Sequence, residues 1–215
     1  MGDFEKRNFD FKIRTEDSEK GKKISGRPVV YESRTDLGPY DEIISFGALN
    51  ETDLRDVRFL VNHDISRIPL ARSRRNNGNS TMQLFPVTEG LDFQAFLDVE
   101  RNEHARELVS AIEREDITGM SFMFSIDSQE WDDLESDHPT KRILKIGTIV
   151  EISAVTFPAY DETFINARNK EALERAELTL EKARKEYFAR KNGVDTPIDQ
   201  LALLKEKTKI YLGGF

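Results

Sequence analysis

No cysteine occurs in the 215 residues, which removes disulfides, thiolate metal sites and cysteine nucleophiles together. Histidine is almost as scarce: His63, His104 and His138 are scattered, no H-E-x-x-H pattern joins them, and no metal site is expected. Neither a P-loop nor a G-x-G-x-x-G run is present, so nucleotide chemistry has no support. The G-x-S-x-G elbow of α/β-hydrolases is missing too, and no apolar run approaches the ~20 residues of a membrane helix. The opening "MGDFEKRNFDFKIR" alternates charge with aromatic residues and has no apolar segment of a secretory signal. Lys6 stands where a myristoylation signal would carry Ser or Thr. An intracellular site of action, away from membranes, is the expectation.

What is present fits a protein with one good core, or one domain with an appendage. Hydrophobic residues make up 38% and charged residues 33% of the chain. The charge is uneven, with a net −11 over residues 1–165 and a net +3 over residues 166–215. An acidic body disfavours nucleic acid as a partner, because phosphate binding relies on Lys and Arg. The boundary near Asn166 predicts a main domain over 1–165 and a separate helical tail over 166–215.

Residues 9–157 read as short alternating segments. "KISGRPVVYES" is a strand interrupted by Gly26 and Pro28, which predicts an edge or a bulge. "DLGPYDEII" is turn chemistry leading into apolar residues, and "VRFLVNHD" sets Phe59, Val61 and His63 against Leu60, Asn62 and Asp64. "TMQLFPV" and "LDFQAFLDV" read as neighbouring strands joined by "TEG". One internal helix is expected in "NEHARELVSAIEREDI", where Ala105, Leu108, Val109 and Ile112 share a face. Many strands with one helix predict a mainly β, barrel-like domain. In the tail, Leu173, Ala176, Leu180, Ala183 and Tyr187 follow a 3–4 spacing that ends at Asn192-Gly193. That seam is either a helix packed on its own domain or a surface for a partner. A second helix is expected from Thr196, with Pro197 in its first turn.

Three residues invite chemistry. "GMSFMFSI" is a strand whose Met120, Phe122, Phe124 and Ile126 alternate onto one face, leaving Ser121 on the other. Ser121 is either an ordinary small polar residue or one placed to react. His63 ends an apolar strand, a place where histidine is often structural. Glu151 interrupts the apolar "IVEISAVTFPAY" and shares a face with Ser153, Val155 and Phe157. A carboxylate there needs a partner unless that face is solvated, and a histidine is one candidate.

The ordered run "DLGPYDEIISFGAL", "VRFLVNHD", "PLARS", "GLDFQAFL", "LVSAIEREDITGMSFMFSI" and "RILKIGTIVEISAVTFPAYDET" resembles the prohead maturation proteases of tailed bacteriophages. These are serine peptidases related in fold to the herpesvirus assemblins. The resemblance spans roughly residues 22–164, and its specific parts are the histidine of "NHD", the serine of "GMSF" and the "EISAVTFPAY" strand. "ARSRRNNGNSTMQLF" is longer and more basic than the short turn usual in the family.

The resemblance implies an α+β, mainly β fold with an assemblin-like β-barrel and a helical C-terminal tail. It carries the family's catalytic histidine and serine onto His63 and Ser121, and its supporting carboxylate onto Glu151. A serine hydroxyl is a weak nucleophile that needs a base, and a carboxylate on the far ring nitrogen would fix the tautomer. The implied enzyme works in the host cytoplasm inside the assembling procapsid. It would cut the precursor segment from the major capsid protein and then itself, with no cofactor. Its partners would be that precursor and further copies of itself. Two rivals are a non-catalytic assembly protein on the same barrel and a general cytoplasmic peptidase.

Overall fold

Alternation over Gly90–Leu97 puts Leu91, Phe93, Ala95 and Leu97 in the interior and leaves Asp92, Gln94 and Phe96 half-buried, the period of two that a strand imposes. The same logic builds most of the chain. The computed structural model describes residues 4–9, 13–156 and 167–191. Within them the strands are β1 (Phe4–Phe9), β2 (Arg14–Ser18), β3 (Gly21–Val30), β4 (Arg34–Asp36), β5 (Asp41–Ile44) and β6 (Arg58–Val61). They continue with β7 (Ala71–Arg72), β8 (Met82–Val87), β9 (Gly90–Leu97), β10 (Gly119–Asp132) and β11 (Thr140–Val155). Two helices are described, α1 (Glu103–Glu113) and α2 (Ala167–Lys191). The helix expected from Thr196, the end of the seam at Asn192-Gly193 and the placement of Phe157 lie outside the described residues.

The strands form two open sheets. One has the order β1-β10-β11-β5-β4, with β6 also on β11 and β7 on β6; the other runs β2-β3-β9-β8. The expected closure into a barrel is not found among the described residues: they form a mainly β fold with two helices, and their two sheets are not joined into a barrel. Period-two patterning identifies a strand and its buried face, but closure depends on which edges meet, and no residue pattern encodes that.

Several local expectations hold. β3 is irregular between Gly26 and Val29, so Pro28 sits at a bulge; it is not an edge, because β3 lies between β2 and β9. β8 and β9 pair directly, and Gly90 at their turn has φ +150° with the Val29 carbonyl so close that a side chain would collide with it. Asn102 caps α1 by accepting from the backbone of His104 and Ala105, and Ala105, Leu108, Val109 and Ile112 are all buried.

Two compact units emerge. The first comprises Met1–Thr35, Glu42–Glu130 and Lys141–Phe164, and the second Asp36–Asp41, Trp131–Thr140 and Ile165–Phe215. In the first, both sheets and α1 share one apolar core, where Phe59 of β6 meets Phe93 of β9 with ring centres 5.6 Å apart. In the second, Ala176 and Leu180 of α2 pack with Tyr40, Trp131 and Leu134, while Leu173 and Tyr187 of the same seam stay exposed. Arg184 Nε donates to the Leu134 carbonyl at 3.0 Å and the Tyr187 hydroxyl to Glu135 at 2.8 Å.

Candidate active site

β11 is the axis of the site. It lies between β10, which carries Ser121, and β6, which leads into His63. β6 runs parallel to β11 with Arg58 opposite Glu151 and Val61 opposite Ala154. From Glu151 to Val155 every side chain is buried. Glu151 and Ser153 are therefore polar groups in an interior strand, where an unpaired carboxylate would be costly.

Both oxygens of Glu151 are satisfied. Oε1 lies 2.5 Å from His63 Nδ1, and Oε2 accepts from Ser153 Oγ at 2.5 Å. The same Ser153 oxygen accepts from the His63 backbone N–H at 3.2 Å. Ser153 thus holds the carboxylate with its proton and the histidine backbone with its lone pair. Because a carboxylate only accepts here, the His63 proton belongs on Nδ1, which leaves Nε2 as the basic nitrogen.

Strand alternation does not reach His63. β6 stops at Val61, and Asn62 and His63 both take positive φ, 51° and 59°. Left-handed backbone at a non-glycine residue costs of order 1–3 kcal/mol and persists only where surrounding bonds enforce it. They do so here. The Asn62 N–H donates to the Ala154 carbonyl at 2.9 Å, its side-chain N–H donates to Thr156 Oγ1 at 2.9 Å, and its Oδ1 accepts from the Thr156 N–H at 3.0 Å. The turn is clamped to the end of β11, and the clamp aims the imidazole back at Glu151.

Asp64, the carboxylate next in sequence, plays no part in this pairing. It accepts from the backbone and hydroxyl of Ser66 at 3.1 and 2.5 Å, and the Ser66 bonds, with Arg67 nearby, hold its carboxyl below the usual range. His104 is exposed and engages Glu107 and Arg67, and His138 pairs with Asp41 at 3.1 Å.

Ser121 is fully buried on β10. Its hydroxyl donates to the Arg7 carbonyl at 2.9 Å, its one hydrogen-bond partner among the described residues. β1 covers it: Asn8 pairs with Ser121 and Arg7 with Phe122. The Ser121 hydroxyl is thus capped by β1. The structure thus joins His63 to Glu151, sets the strand of Glu151 beside the strand of Ser121, and turns the Ser121 hydroxyl to Arg7.

Sequence reasoning missed Ser153, Asn62, Thr156 and Arg7 as parts of the site. Ser153 carried a signal, since it shares a strand face with Glu151; Arg7 carried none. Among the described residues, the three groups close enough to share a metal ion are Asp36, Asp41 and His138, whose ligand atoms lie within 4.8 Å of one another. They belong to the second unit. No helix among the described residues is long and apolar enough to cross a membrane.

Residues 9–177 match the family described as caudovirus prohead serine protease. The chain belongs to that family. The matched span includes His63, Ser121 and Glu151 and begins after Arg7. Neither a search of curated proteins nor one of solved structures gave a match. Membership makes the chain a serine protease, a hydrolase of the phage capsid-maturation class.

Proposed function

We propose that this prohead protease is an endopeptidase whose nucleophile is Ser121, whose base is His63 and whose supporting carboxylate is Glu151. The observation that carries the reading is the 2.5 Å approach of His63 Nδ1 to the buried Glu151. With its Nδ1 proton held there, His63 presents Nε2 to take the Ser121 proton as the hydroxyl attacks a peptide carbonyl. The imidazolium formed is stabilised by Glu151 and returns its proton to the leaving amine; water then releases the acyl group by the same relay. Apo geometries of such sites are often loose, so a Ser121 hydroxyl turned toward Arg7 is compatible with this role once β1 yields.

The substrate is the precursor of the major capsid protein inside the assembling procapsid, in the host cytoplasm, followed by the protease itself. Self-association through the helical tail, residues 166–215, belongs to the same reading, as does a relation of the two open sheets to the assemblin barrel. The scaffolding alternative loses ground because membership is in a family of serine proteases. The test is co-expression with the capsid protein of the same phage, following precursor length by intact mass. The wild-type chain shortens the precursor and the Ser121→Ala chain does not; equal shortening by both overturns the reading.

A further inference from the structure

β1 does more than cover Ser121. It is an edge strand whose Arg7 carbonyl accepts the hydroxyl at 2.9 Å, so the carbonyl next to the nucleophile is that of Arg7. The Arg7 side chain runs across the sheet to Glu42 of β5, with Nε 2.5 Å from Oε1 and the terminal nitrogen 2.7 Å from Oε2. Glu42 is only 2% exposed. Lys141 of β11, fully buried, lies 3.2 Å from Glu42 and 3.1 Å from Glu5, two residues before Arg7 on β1. Glu5 and Arg7 also pair with each other.

Without β1 a buried Glu42–Lys141 pair remains, neutral as a whole. It can stand uncovered, and it offers an incoming strand one face that wants a cation and one that wants an anion. Planar, two-pronged recognition of a carboxylate is the work that arginine does best. Strand addition at a sheet edge is in turn a common way to hold an extended peptide, with main-chain bonds for affinity and side-chain pockets for selection.

Resting on the assignment of Ser121 as nucleophile, we propose that β1 occupies the place of the substrate strand and that Glu42 selects arginine or lysine immediately before the bond Ser121 attacks. Lys141 favours an acidic residue two positions earlier. The N-terminal strand is then a built-in competitor that a substrate must displace.

The test uses full-length protein and a synthetic peptide library randomised at every position, with cut bonds read by mass spectrometry. Wild-type protein is expected to enrich Arg and Lys just before the cut. On a matched Arg/Gln peptide pair the preference should be about 30-fold or more, the scale of a desolvated charge pair, and Glu42→Gln should reduce that ratio to near unity. Arg7→Gln, which weakens the competitor but leaves Glu42 and Lys141 paired, should cut the Arg peptide at least ~5-fold faster than wild type. It serves as the second test if Glu42→Gln does not fold. A flat preference, a ratio unchanged in Glu42→Gln, or no acceleration in Arg7→Gln overturns the proposal. So does a library left uncut by Arg7→Gln protein whose Ser121 still takes up a fluorophosphonate. Cutting by Ser121→Ala protein, or a protein that neither cuts nor labels, contradicts the nucleophile assignment itself.

Discussion

His63 Nδ1 and Glu151 Oε1 stand 2.5 Å apart although 88 residues separate them in sequence, one in a left-handed turn and the other inside a buried strand. Two costly features, a strained turn and a buried carboxylate, are thus spent on one contact. If it orients the base, losing His63 is as damaging as losing the nucleophile. His63→Ala and Ser121→Ala should each lower the cleavage rate by at least ~10⁴-fold, and the double variant should be no worse than either, because groups acting as a unit are not additive. Ser125→Ala, His104→Ala and His138→Ala should remain active. Rates on one peptide across this set decide it; additive losses would break the unit.

Replacing Glu151 by Gln keeps the shape and removes the charge. Activity should fall by about 10²–10⁴-fold, less than on loss of Ser121, because a Ser–His pair survives without its orienting anion. Ser153→Ala removes the proton that Glu151 Oε2 accepts and the oxygen that receives the His63 N–H. It should cost about 1–3 kcal/mol of stability and lower kcat more than it raises KM. Denaturant unfolding beside steady-state kinetics checks both; a Ser153→Ala enzyme with unchanged kcat would remove Ser153 from the positioning role.

Glu42 makes the hold of β1 sensitive to acid. Burial pushes its carboxyl up, but the charges of Arg7 and Lys141 outweigh that and keep it below the usual range. A carboxyl depressed in the folded protein contributes stability that is fully present above its unfolded value, about 4.3, and is lost as pH falls through the lower folded value. The groups that face it are Glu5 and Arg7 from β1 and Lys141 from β11. Unfolding free energy should therefore drop below about pH 4.3, and the drop should be shallower in Glu42→Gln. Hydrogen exchange along β1 should quicken over the same range. Identical pH slopes for the two proteins would contradict this.

The sequence made some of this legible and hid the rest for physical reasons. Phe122, Phe124 and the α1 face were readable because burial follows local periodicity. Glu151 was readable as an anomaly, since a carboxylate in an apolar strand demands a partner. The turn at His63 was misread as continuing strand, because two left-handed residues break a period that the letters alone carry on. Arg7 and Glu42 were invisible: their pairing depends on β1 joining β10 and on β5 lying two strands beyond it, which is sheet order and not pattern.

In the second unit, Leu180→Ala should destabilise locally. Leu180 is buried with Tyr40 and Trp131, whose rings meet edge-on at 4.8 Å, in a small cluster. Truncation there should cost about 2 kcal/mol, the low end for a buried leucine. Faster hydrogen exchange in α2, with unchanged peptide cleavage by the first unit's residues, is the expected pair of readings. A collapse of cleavage would tie α2 to the catalytic machinery.

The assignment of Ser121 as nucleophile is tested most directly by mapping the adduct of a fluorophosphonate on a preparation that shortens the capsid precursor. The account predicts one modified residue, Ser121, with labelling abolished in His63→Ala and slowed in Glu151→Gln. An adduct on another serine, or an unmodified Ser121 in protein that still processes the precursor, would contradict it.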